Sequence, residues 1–187
     1  MIENPKLFMV LLGCTPKGRT TEQHDVFFGI ANSLNDLVTE MNEFWPEAER
    51  KLHIDVWREI TNVNGFKIEI IPKETAVSSN LNLFFLNLGG YKPGEFEEYH
   101  YKMLDVSKDL ASAIKTAKKT SFYKHYRFKD AVTHIDEKYG IDVDDSHNVS
   151  DLLSANAKQS YQIKISSVDL FLDEDELHIG YLKVKSK

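Results

Sequence analysis

The chain repeats itself, and the repetition limits what it can fold into. Leu7-Phe8, with Leu12-Gly13 five residues past Leu7, returns as Leu83-Phe84 and Leu88-Gly89, 76 residues further on. Glu22-Gln23-His24 returns as Glu98-Tyr99-His100 at the same spacing, so the loop between these motifs has one length in both places. Leu34 and Val38 meet Leu110 and Ile114, again at 76. Leu52-His53-Ile54-Asp55 then matches Thr133-His134-Ile135-Asp136 at 81, and Phe66-Lys67-Ile68-Glu69-Ile70 matches Tyr161-Gln162-Ile163-Lys164-Ile165 at 95. Matches kept in one order, with gaps falling between them, read as an internal duplication whose second copy carries two insertions. The expected divisions are a first repeat at 6–72, a second at 80–168 and a closing C-terminal hairpin at 169–187, packed as one pseudo-symmetric body.

Each copy reads as strand, strand, helix, strand, strand. Residues 6–13 and 81–88 are short, dense apolar runs ending in glycine, as buried strands do. Gly13–Gly18 and Gly89–Gly94 each hold a proline and a lysine and read as turns. Second strands follow at Asp25–Ile30 and Tyr101–Val106, then helices near Ser33–Phe44 and Ser107–Lys119, with Asn32 or Ser33 and Ser107 as N-caps. Leu34, Leu37, Val38 and Met41 form an i, i+3, i+4, i+7 stripe, one core-facing side of a helix. The third strand carries His-Ile-Asp, and Asn64-Gly65 is a two-residue hairpin signal leading to the fourth. In the second copy an insertion, Asp142–Gln159, replaces that turn and holds a short helix at Ser150–Ala157. Leu170–Leu172 and Leu177–Val184 form the closing hairpin about Asp173-Glu174-Asp175-Glu176. The fold class is therefore α+β, mainly antiparallel sheet with helices on one side.

Composition excludes several classes. The 187 residues are 42% hydrophobic and 28% charged, with formal net charge −6, enough apolar content for a packed core. No apolar run approaches the roughly 18–20 residues that span a bilayer, so no membrane association is expected. Met-Ile-Glu-Asn-Pro places an acid where a secretory leader needs basic residues. One cysteine, Cys14, rules out an internal disulfide framework and suits a reducing, cytoplasmic setting.

Around the Leu-Gly turn, the Glu-x-His motif and Leu-His-Ile-Asp-x-Trp at Leu52–Trp57, the sequence resembles a bacterial family catalogued as domain of unknown function 1543, present here as two tandem divergent copies. The resemblance implies a small α+β domain used singly or doubled, and it implies no established activity. Lys138 stands where Trp57 stands, and Tyr101 where Asp25 stands. A site built on that tryptophan or aspartate would be confined to the first half.

In an extended strand, residues i and i+2 share a face. Glu22 and His24 therefore project together, as do His53 and Asp55, and four of the chain's seven histidines occupy these repeated positions. Three uses compete for such a cluster. Imidazole and carboxylate can satisfy one another at a sheet edge, can bind a small polar or anionic ligand, or can hold a divalent metal such as zinc. No His-Glu-x-x-His helix or paired-cysteine clip singles out metal. The expected ligand-binding set is Glu22, His24, His53 and Asp55 with Trp57 lining it, and Glu98, His100, His134 and Asp136 as a second or degenerate site. No catalytic residue, metal ligand or cofactor is assigned. A His53–Asp55 general-base pair would form only if the strand bends.

The expected function is non-catalytic binding of a small polar ligand or a protein partner in the cytoplasm, with a homodimer as one arrangement. The alternative is a metal-dependent enzyme using the same cluster. Cys14 has Gly90 as its counterpart, so it reads as a passive turn thiol. Asp142-Val143-Asp144-Asp145 lacks the glycine and glutamate of a calcium loop and reads as a solvated acidic loop. Lys115–Lys129, interleaved with Phe122, Tyr123, Tyr126 and Phe128, has the look of a single-strand nucleic-acid surface. The acidic remainder of the chain disfavours nucleic acid.

Overall fold

Antiparallel pairing between neighbouring apolar strands organises the chain. A computed structural model describes residues 4–75, 79–91, 94–119, 142–168 and 173–184. In chain order the first elements are β1 (Lys6–Cys14), β2 (Gln23–Ala31), a 3-10 turn (Leu34–Leu37), α1 (Val38–Phe44), β3 (His53–Glu59), β4 (Asn62–Val63) and β5 (Phe66–Pro72). Next come β6 (Asn82–Tyr91), β7 (Glu98–Ser107), α2 (Leu110–Ala117), β8 (Asp142–Asn148) and α3 (Val149–Leu152). The last are α4 (Ala155–Ser160), β9 (Tyr161–Ser167) and β10 (His178–Lys183). The fold is α+β with antiparallel sheets ordered β10-β3-β1-β2, β4-β5-β9 and β7-β6-β8. The chain divides into two compact units, Met1–Ser78 with Leu152–Lys187, and Ser79–Asp151.

In the first unit β1 is central, and its alternation sets the core. Phe8, Val10 and Leu12 point to the side where Leu37, Met41, Ala48, Leu52 and Ile54 pack, with Leu12 and Met41 wholly buried. The helical stripe is thus a core face, but its first turn is 3-10. There the Asp36 carboxylate accepts from the backbone N–H and hydroxyl of Ser33 at 3.1 and 2.8 Å. Asn64 and Gly65 take positive φ of 53° and 79°, forming the expected turn between β4 and β5. The fourth strand leaves the first sheet: β5 pairs with β9, Ile68 opposite Ile165 and Ile70 opposite Ile163. The acidic segment at 173–176 anchors β4, since the Asp175 carboxylate accepts from the backbone N–H groups of Thr61 and Asn62.

In the second unit Phe84, Leu86 and Leu88 of β6 pack against Ala113 and Ala117 of α2. The N-cap of α2 is Asp109, which accepts from Ser112 N–H at 2.8 Å, rather than Ser107, which ends β7 in a buried hydrogen bond to Asp105.

Three other expectations are corrected, and a fourth falls partly outside the described residues. Gly13 and Gly89 lie inside strands, because β1 runs through Cys14 and β6 through Tyr91. The strand flanking β6 opposite β7 is Asp142–Asn148, so the supposed acidic loop is the third strand of this unit. The single helix expected at Ser150–Ala157 is two short helices, α3 and α4. The outer arm of the closing hairpin, Leu170–Leu172, lies outside the described residues, and β10 pairs with β3.

Glu69 faces Lys164 across the β5–β9 ladder and holds both Lys67 Nζ (2.8 Å) and Lys164 Nζ (3.0 Å). These hydrogen bonds, that from Lys67 first, hold its carboxyl below the usual value of 4.5. A lowered carboxylate pKa stabilises the fold above the unfolded value, and this is lost as pH falls through the folded value. Glu69→Gln should therefore flatten the decline of urea midpoint below about pH 4.5, with an effect at neutral pH under about 1 kcal/mol for so exposed a pair. An unchanged acid limb would rule out this carboxylate as a contributor.

Candidate functional site

The site is built around a residue with no side chain. Gly13 in β1 stands opposite His24 in β2 and His53 in β3, so the two imidazoles flank it in one row across three strands. A Cβ at Gly13 would lie 2.5 Å from His53 Nε2 and 2.8 Å from Asp55 Oδ2. Glycine here leaves the space into which those groups close.

A β-bulge supplies the acid. Leu12 pairs with Ile54 and Leu11 with Val56, leaving Asp55 as the extra residue of β3. The strand bends there, meeting the condition under which His53 and Asp55 can approach, and His53 Nε2 lies 3.3 Å from Asp55 Oδ1. Glu22, just before β2, reaches over from the other side. His53 Nε2 is 3.2 Å from Glu22 Oε1, while His24 Nε2 is 3.6 Å from Glu22 Oε2 and 3.2 Å from Asp55 Oδ2. All four expected residues meet.

Burial is graded across the cluster. His53 is 4% exposed and carries the Tyr181 ring stacked on it at 4.4 Å. The side chains of His24 and Glu22 are 40% and 46% exposed. Asp55 Oδ2 is buried and has no hydrogen-bond partner, although His24 Nε2 is close by. A carboxylate oxygen left so costs free energy unless something else satisfies it. Glu22, His24 and His53 each present a ligand atom within 4.8 Å of the other two. Neighbouring ligands in a shell of about 2.0–2.2 Å radius lie roughly 3.0–3.6 Å apart in octahedral to tetrahedral geometry. The imidazole–carboxylate separations fall in that range.

Trp57 is not part of this group. The extra residue at Asp55 reverses the facing of the strand, and Trp57, opposite Val10, packs on Phe8 at 6.0 Å and stacks on His178 at 3.9 Å. Cys14 is buried, and burial followed by the negative charge of Glu22 pushes its thiol pKa up, keeping it protonated and unreactive.

The second unit assembles a related cluster from partly different residues. His100 stands opposite Gly89, and so does Asp142 on the other side. A register shift between Asn87 and Leu88 makes Asp144 the extra residue, in the place that Asp55 has in the first unit. His100 Nδ1 lies 3.3 Å from Asp144 Oδ2, and its Nε2 lies 3.7 Å from Glu98 Oε2. His134 and Asp136 lie outside the described residues, as does the basic and aromatic stretch from 120 to 129. Sequence reasoning missed Asp144. The apolar-centred triplet Asp142-Val143-Asp144 has the alternation of His53-Ile54-Asp55, but its residue identities match less well than those of His134-Ile135-Asp136.

These features define an α+β protein with a histidine–carboxylate cluster set over a strand glycine. Residues 19–70 match the family model described as Domain of Unknown Function (DUF1543), a segment holding Glu22, His24, His53, Asp55 and Trp57. The match lies in the first unit and does not establish the second copy expected from sequence. No curated protein matches the chain. Among solved structures, the fold is similar to that of a protein Il1583 from Idiomarina loihiensis, with a TM-score of 0.57 at 20% identity. That likeness covers 98% of this chain and 100% of the other. Among the described residues no helix is long and apolar enough to cross a membrane.

Proposed function

We propose that the protein binds a divalent transition metal through Glu22, His24 and His53, with the Asp55 carboxylate beside the two imidazoles. The observation that carries this reading is the convergence of ligand atoms of Glu22, His24 and His53 within 4.8 Å of one another, with the Asp55 carboxylate 3.2–3.3 Å from both imidazoles. Two imidazoles with two carboxylates suit zinc and its first-row neighbours. The exposure of Glu22 and His24 leaves the outer side open, so a small polar or anionic ligand can join the ion there. This is binding rather than turnover. A free single cysteine supports a cytoplasmic setting. The shared pairing of β1 with β2 and β3, and of β6 with β7 and β8, supports descent of the two units from a duplication.

Metal-free protein titrated with Co2+ should take up one ion at this cluster, giving the visible absorption of a nitrogen- and oxygen-ligated site. At about 100 times the dissociation constant, the ion should add about 2.7 kcal/mol to folding stability. A His24→Ala, His53→Ala variant should take up one Co2+ fewer than the parent and lose the absorption and stabilisation that belong to this cluster, while keeping its circular dichroism. A folded variant that takes up as much Co2+ as the parent would overturn the proposal.

A further inference from the structure

We infer that the second unit holds a separate cation site, at Glu98, His100 and Asp144, that prefers harder, oxygen-seeking ions such as Mn2+. The inference goes beyond the first-unit reading, which concerns other residues.

Three observations support it. First, both units use the same backbone device: a central-strand glycine flanked by a histidine, with an acid on a bulge beside it. An ideal Cβ at Gly89 would lie only 2.1 Å from Asp144 Oδ2, so the aspartate carboxylate occupies the space a side chain would need. Second, ligand atoms of Glu98, His100 and Asp144 all lie within 4.8 Å of one another. Third, Asn87 donates its amide to Asp145 at 3.1 Å and lies 3.2 Å from His100 Nδ1, so the ring is held through that nitrogen with Nε2 on the Glu98 side, 3.7 Å from Oε2.

The donor chemistry differs from that of the first cluster. Glu22, His24 and His53 offer two imidazoles and one carboxylate, whereas Glu98, His100 and Asp144 offer one imidazole and two carboxylates. The histidine count falls from two to one, while Asp144 keeps the place of Asp55. Softer and borderline metals gain most from imidazole, whereas a carboxylate-rich set suits Mn2+ and Mg2+. The two units would therefore differ in which ion each favours, a difference made by the residues that one shared backbone device presents.

The test uses the full chain carrying His24→Ala and His53→Ala, stripped of metal and titrated with Mn2+ while the free ion is followed by electron paramagnetic resonance. One Mn2+ per chain is expected. Adding Asp144→Asn, which keeps the size of the side chain but removes its charge, should weaken that binding at least tenfold, and adding Gly89→Ala should do the same. Circular dichroism identifies a variant that has simply unfolded; Asp144→Asn, being isosteric, is the decisive one. No Mn2+ uptake by the parent double variant, or uptake indifferent to Asp144→Asn in a folded protein, overturns the inference. Failure of the first-unit reading looks different: His24→Ala, His53→Ala would then leave Co2+ binding intact, whatever Asp144 does to Mn2+.

Discussion

If the first unit binds metal as proposed, Gly13→Ala is expected to weaken that binding by roughly 10–100-fold, about what the loss of a well-placed supporting group costs a metal site. The added methyl would sit 2.5 Å from His53 Nε2 and 2.8 Å from Asp55 Oδ2, well inside contact distance. His53 has little room to yield, being 4% exposed and covered by the Tyr181 ring. Both groups must turn away together, and the convergence of donors is lost. The fold should survive, because overpacking at one point costs about 1–3 kcal/mol. Gly18→Ala is the control: nothing lies within 4 Å of its Cβ position, although its φ of +82° strains any other residue. That variant should lose about 1 kcal/mol of stability and keep its metal affinity. Calorimetric titration of both variants decides the matter. If Gly13→Ala binds like the parent, the glycine is not what makes room for the site.

The second large effect concerns stability. Leu12, one residue before Gly13, points to the opposite side of β1 and is wholly buried among Phe27, Leu37, Met41 and Ile54. Leu12→Ala removes a branched side chain from a packed core and should destabilise the first unit by about 2–5 kcal/mol. Urea unfolding followed through tryptophan fluorescence reports on this unit, since both tryptophans, Trp45 and Trp57, pack against this cluster. A loss below about 1 kcal/mol would mean that the core closes over the missing atoms. Leu12 and Gly13 thus differ in role within one dipeptide: the leucine packs the sheet on its helix, and the glycine leaves room on the other face for His53 and Asp55.

Much of the first cluster was legible because strand periodicity is local. Glu22 with His24, and His53 with Asp55, are two residues apart, and the pleat places such pairs on one face whatever the surroundings. The role of the glycine was only half visible. Apolar runs ending in Gly13 and Gly89 look like strand ends, since glycine commonly punctuates chains. Here each is flanked on both sides by paired strands, and what singles it out is the side chains that close over it. Trp57 was out of reach for a related reason. Simple alternation puts residues 53, 55 and 57 together, and only the extra residue at Asp55 sends Trp57 to the core face.

The second cluster marks the limit of identity matching. His134-Ile135-Asp136, which reproduces the first-half triplet by name, lies outside the described residues, and the strand seen beside β6 opposite β7 begins at Asp142. Hydrogen-bond register selects a strand by its backbone and by the face it buries, here with Val143 packed on Leu88 and its neighbours, and it is indifferent to whether the flanking residue is histidine or aspartate.

By itself the sequence determined the α+β class, the antiparallel strands, the helix stripe and the pairing of residues two apart, because all of these follow from short-range periodicity and side-chain burial. The tertiary structure alone decided that β5 lies outside the first sheet and pairs with β9, that Asp144 joins the second cluster and that Trp57 faces away from the first. Each of those depends on where a bulge falls and which distant strand supplies the next ladder of hydrogen bonds. Such choices are made between segments far apart in the chain, by packing that local pattern does not encode.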